Sequence, residues 1–87
     1  MYYVYVLLNE EGRSYIGYSA DLKKRLAAHN QGRAASTRGH KWELIYYEAY
    51  KAQDDARARE RELKSSGQAR RWLKQRIAGS IALSRES

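Results

Sequence analysis

The residues of this chain best suited to chemistry are two tyrosines, an Arg-His pair and one carboxylate. Tyr5 and Tyr15 are ten residues apart, Arg25 follows ten later, His29 four after that, and Glu60 stands well downstream. Side chains alternate across a strand, so Tyr3, Tyr5 and Leu7 would share one face, and Tyr15, Gly17 and Ser19 one face of the next strand. A hairpin that aligns these faces sets Tyr5 beside Tyr15. Gly17 then leaves a gap free of side chain where another backbone or a ligand can approach. Arg25 and His29 are neighbours on one helix face, in a row beside Leu22 and Leu26, at the edge of a core. Glu60 comes four residues after Ala56 and three before Leu63, on the apolar stripe of its helix. A charge there is costly unless it is paired or binds a metal. A carboxylate can hold Mg²⁺, an arginine can clamp a phosphate, and a tyrosinate or histidine can activate water, so the set suits a phosphodiester. Each residue alone has a plainer use. The tyrosines can pack, His29 can cap a helix or stay solvated, Arg25 can be surface charge, and Glu60 can pair with Lys64 or Arg57.

Positioning such a set requires particular elements. Tyr2–Leu8 is a dense β-branched and aromatic run and reads as a strand. Residues 9–12 have turn chemistry, with Gly12 suited to a positive φ. Ser14–Ser19 is the returning strand. Asp21 or Ser19 can cap a helix that ends near Asn30, with Gly32 at its left-handed C-terminal position. Residues 31–41 read as a basic loop. Trp42–Tyr50 is a third strand, with Leu44, Tyr46 and Glu48 on one side and Ile45, Tyr47 and Ala49 on the other. Asp54 and Asp55 open a helix whose face carries Ala56, Arg59, Glu60 and Leu63. Ser65-Ser66-Gly67 interrupts it, and a last helix from about Ala69 aligns Leu73, Ile77 and Ile81. The order ββαβαα predicts an α+β class, a small three-stranded antiparallel sheet flanked by helices. Residues 1–78 would be the domain and 79–87 a frayed tail.

The chain has 87 residues and no cysteine, which excludes a disulfide framework, a zinc-thiolate site and a cysteine nucleophile. A chain this short buries roughly 60–65% of its unfolded surface, enough for one small domain. Seventeen Lys and Arg against ten Asp and Glu leave +7, which points to a polyanionic partner. From Lys51 to Arg76 nine basic residues face four acidic ones, a footprint for phosphates that carries no sequence preference by itself. There is no long amphipathic helix with a Trp, Phe or Leu face for a membrane, and no targeting segment is visible, so a cytoplasmic chain is expected.

The succession Tyr3-Val4-Tyr5, Tyr15-Ile16-Gly17, Arg25-x-x-x-His29 and Glu60 resembles the GIY-YIG nuclease superfamily. The second triplet matches letter for letter. In the first, Tyr3 and Val4 replace Gly and Ile while Tyr5 keeps the functional tyrosine. His29-Asn30-x-Gly32, Thr37-Arg38-Gly39 and Leu44-Ile45-Tyr46-Tyr47-Glu48 resemble its small, stand-alone bacterial branch. The resemblance runs from Tyr2 to about Ile77. It implies a divalent-metal-dependent endonuclease acting on nucleic acid, DNA first, with single-stranded or branched forms among the candidates and repair or recombination as settings. Tyr5 would be general base or would orient the attacking water, with Tyr15 beside it. Arg25 would stabilise the phosphate's developing charge, and His29 would assist proton transfer or hold the leaving group. Glu60 would be the only protein ligand of a single Mg²⁺ or Mn²⁺. Gly17, Tyr18, Arg38, His40, Lys41 and Lys64 would meet the nucleic acid, with Thr37 and Trp42 near the strand and Trp42 either stacked on a base or in the core. Two departures from the family pattern support an alternative, a weakly active or inactive nucleic-acid-binding module. Tyr18 stands where many members have Lys, and no Asn follows Asn30. Specificity would come from the domain's own loops, a homo-oligomer or a protein partner.

Overall fold

A computed structural model describes residues 1–32 and 37–85. The order is β1 (Tyr2–Asn9), β2 (Ser14–Ser19), α1 (Leu22–Asn30), β3 (Trp42–Tyr50), α2 (Gln53–Ser65), α3 (Gly67–Arg76) and α4 (Ala78–Arg85). The three strands form one antiparallel sheet in the order β2-β1-β3. The α+β class with a small three-stranded sheet is therefore as the sequence predicts.

The central strand explains the layering. Val4 to Leu8 are all buried, because β1 has a strand on either side and helices on both faces. Its even-numbered residues Val4 and Val6 join Ala56, Leu63, Ala69, Leu73 and Ile77 in a core under α2, α3 and α4. Its odd-numbered residues Tyr5 and Leu7 join Trp42 in a second core, against which Leu22 and Leu26 of α1 pack. Turns fall where their chemistry is available. Gly12, Gly32 and Gly39 take φ of 82°, 72° and 90°. The Asp21 side chain accepts the Lys24 N–H at 3.1 Å and caps α1.

Two expectations change. Strict alternation along β3 fails, because a bulge between the partners of Val6 and Leu7 makes Tyr46 pair with Val6 and Leu44 with Leu7. The extra residue, Ile45, turns into the same core as Tyr46, while Leu44 lies with Leu7 on the other face. Trp42 and Leu44 therefore face α1, and Tyr46 faces α2. The last helix is also divided. The N–H of Ile77 closes α3 on Leu73, and residues 78–85 form α4 where fraying was expected. Ile77 is buried, Ile81 packs on the same core, and Ser84 Oγ donates to Glu43 Oε1 at 2.7 Å, which ties α4 to β3. Among the described residues no helix is long and apolar enough to cross a membrane.

Candidate active site

The odd-numbered face of β1 builds the site. Tyr5 pairs with Gly17 and Leu7 with Tyr15 across the hairpin. This register brings the Tyr5 and Tyr15 rings to 6.5 Å between centroids. The gap over Gly17 is filled from within: a Cβ there would collide with the Tyr5 hydroxyl and ring. Gly17 thus makes room for the Tyr5 side chain on edge strand β2, at the gap where the sequence suggested the approach of another backbone or a ligand.

His29 is completely buried, neither solvated nor a simple helix cap. Its Nε2 lies 2.9 Å from the Tyr5 hydroxyl and its Nδ1 2.7 Å from Thr37 Oγ1. The ring also packs edgewise on Tyr15, with centroids 5.0 Å apart. Thr37, expected at the strand-binding surface, is instead buried behind His29. Trp42 is only 9% exposed and donates Nε1–H to the Thr37 carbonyl at 2.8 Å. Of its two expected uses, the core one is realised. The Asn30 side chain accepts the Trp42 N–H and donates to the Trp42 carbonyl, at 2.8 and 3.0 Å, and so clamps the end of α1 to the start of β3. Thr37 and Asn30 as positioning groups were not visible in the sequence, since their partners are set by loop geometry and not by a period.

The guanidinium of Arg25 acts electrostatically on the Tyr5 and Tyr15 phenols. Burial pushes the Tyr5 phenol above its ordinary value; the Arg25 guanidinium opposes this, while Tyr15 and, least, the Glu60 charge reinforce it. Arg25 is itself held more firmly cationic, first by the Tyr5 side chain. His29 is pushed below its ordinary value by burial and then by the Arg25 charge. The site therefore rests with a protonated phenol, a neutral imidazole and a cation sharing one small volume.

Glu60 approaches from α2, which packs on the opposite sheet face. Its side chain is 20% exposed, and Oε2 pairs with Lys64 Nζ at 3.0 Å. The plainer pairing foreseen for Glu60 is thus present. A lone, half-buried carboxylate with one oxygen engaged fits a hard divalent cation whose other ligands are water and phosphate oxygens.

The remaining expected contacts are scattered. Tyr18 lies on the α2 side, stacked on Tyr2 with centroids 6.4 Å apart, under the Arg57 guanidinium at 4.6 Å, its hydroxyl accepting from Gln53 Nε2 at 3.0 Å. Arg38 is exposed and donates to the Gly32 carbonyl at 3.2 Å. His40 Nδ1 sits 2.5 Å from Glu10 and 3.5 Å from Glu11, while the Lys41 N–H donates to Glu10 at 2.8 Å. Those carboxylates offset the positive charge expected of this loop. Elsewhere, Glu48 accepts from Tyr46, Tyr50 and Arg59. Burial disfavours its charge, but these donors outweigh it and hold the carboxyl below the usual range. Burial and then Glu48 push Tyr50 up to about 12. This network joins β3 to α2 and stands apart from the Tyr5 group.

Comparison with known proteins agrees with the geometry. Residues 1–75 match the GIY-YIG catalytic domain family. The chain is similar to a UPF0213 protein of Streptococcus pneumoniae, 41% identical over 64 residues, 71% of this chain and 65% of the relative. It is also similar to UPF0213 proteins of Streptococcus pyogenes serotypes M5 and M2, 40% identical over 60 residues, 67% of this chain and 65% of each relative. The chain therefore spans about 65% of the length of these relatives. No solved structure matches. With the family motif spanning most of the chain and its tyrosines, arginine and histidine gathered on one sheet face, this chain belongs to the GIY-YIG catalytic domain family, a nuclease family.

Proposed function

We propose that this protein is a divalent-metal-dependent endonuclease that hydrolyses phosphodiester bonds in nucleic acid, DNA in the first instance. The observation that carries the reading is the buried Tyr5–His29–Thr37 hydrogen-bond chain, with the Arg25 charge acting on the same phenol. A buried phenol is a poor base because its proton is held too tightly. The imidazole at 2.9 Å offers that proton an acceptor. In the productive tautomer Tyr5 donates to Nε2, and Nδ1–H donates to Thr37 Oγ1. As water attacks phosphorus, Tyr5 takes the water proton and passes its own to His29. Arg25 stays charged throughout and stabilises the developing negative charge on the phosphate oxygens. Tyr15 walls the imidazole. Glu60 would hold Mg²⁺ or Mn²⁺, which when bound neutralises phosphate charge and acidifies water.

The Lys64 ammonium on Glu60 supports a second reading, a binding module with little hydrolysis, because that cation stands on the carboxylate a metal would use. The test is a panel of labelled single-stranded, duplex and branched DNA with Mn²⁺. Cleavage that drops about 10²–10³-fold in Arg25→Ala and Tyr5→Phe is the expected result. Salt-sensitive binding with no cleavage under any divalent ion would replace the nuclease reading with the second one.

A further inference from the structure

We propose that Trp72, flanked by Arg71 and Arg76 on α3, is a stacking platform for an unpaired base of a single-stranded nucleic acid. The inference rests on the nucleic-acid reading above and names the form of the ligand. The two tryptophans of the chain have opposite fates. Trp42, the one placed to stack on a base in the sequence, is buried with its indole N–H engaged, whereas Trp72 is 62% exposed. Its helix, GQARRWLKQR, has four cations and no acid. Arg70 is used internally, donating to the carbonyls of Leu63 and Lys64 at 2.9 and 2.8 Å. Arg71, Lys74 and Arg76 are exposed and make no ion pair among the described residues.

Helical spacing puts Gln68, Trp72 and Arg76 in one row, with Arg71 beside it. The buried Ala69 and Leu73 turn the adjacent side of the helix into the core. Next to the indole lies a shallow depression of about 370 Å³ between α2 and α3, lined by Arg59, Glu62, Ser66, Gln68, Trp72 and Arg76, in which Arg59 neutralises the Glu62 carboxylate. A flat aromatic face with free cations on either side and a hollow beside it can take a base on the ring and its phosphates on the arginines. A duplex offers no free base face. A second copy of the chain would bring Arg71, Lys74 and Arg76 against their own like charges. Because α3 packs on the sheet face opposite Tyr5, the platform holds a part of the strand away from the reacting bond and acts on affinity, not on the chemical step.

The test is a fluorescence titration with a thymidine oligonucleotide in EDTA at low salt, which separates binding from cleavage. The wild-type protein should show quenched indole emission. Trp72→Phe should abolish the quenching, and Trp72→Ala should weaken single-strand binding about tenfold while leaving duplex binding unchanged. Circular dichroism should show both variants folded, since the residue is exposed. Unchanged single-strand affinity in Trp72→Ala, or quenching that persists in Trp72→Phe, overturns the platform and leaves the nuclease reading standing. A wild-type protein that binds no oligonucleotide overturns both. A concentration-dependent blue shift without oligonucleotide, abolished by Trp72→Ala, would assign the surface to a second copy and overturn the proposal as well.

Discussion

At the scale of the residue, His29 sets the terms. Its ring is sealed between a phenol, a threonine hydroxyl and a second tyrosine, so it must lose water to enter the fold. That loss disfavours the imidazolium and lowers its folded-state value below the ordinary value of about 6.5. The unfolded chain then binds a proton that the folded chain refuses. Stability contributed by neutral His29 is present above about pH 6.5 and is lost as pH falls from there through the lower folded value. Chemical denaturation followed across this range should show the wild type losing stability on acidification. His29→Gln should give a flatter profile; an identical slope would mean another group titrates. The tyrosines, the arginine and the histidine were legible in the sequence because strands and helices fix their spacing. Thr37 was not, since nothing periodic connects a loop hydroxyl to the nitrogen it meets.

At the scale of the element, the central strand and its hairpin partner decide where the phenol goes. β1 is buried on both faces, so its uninterrupted apolar run carries no alternation that would show which tyrosine is functional and which packs. The hairpin register supplies that answer by opposing Tyr5 to Gly17. Gly17→Ala is therefore a test of an element rather than of a reactive group. The added methyl meets a ring that is only 1% exposed and has no free space to retreat into. The variant should lose about 1–3 kcal/mol in thermal or denaturant unfolding. Cleavage should fall about 10²-fold through displacement of the hydroxyl from His29. Wild-type stability and turnover would show that Tyr5 is free to move. The alternation read along β3 failed for a related reason. A bulge adds one residue with no sign in the composition, and every side chain beyond it changes face. The division into α3 and α4 was equally hidden. Leu73, Ile77 and Ile81 keep one stripe whether or not the helix breaks at Ile77.

At the scale of the whole molecule, the two sheet faces divide the work. One holds the larger apolar core beneath α2, α3 and α4; the other holds the polar cluster under α1 and the loop that carries Thr37. Glu60 belongs by packing to the first face, on the helix that also buries Ala56 and Leu63. The proposed nuclease chemistry requires Glu60 at the metal, and its replacement by a neutral isostere is the decisive test. The measurement is the rate of phosphodiester cleavage by Glu60→Gln over a series of Mn²⁺ concentrations, with nucleic-acid binding in EDTA as the parallel readout. The account predicts a variant that folds and binds as well as the wild type but whose cleavage falls at least about 10²-fold and does not recover with added metal. Cleavage by Glu60→Gln at the wild-type rate and with the wild-type metal dependence would contradict it.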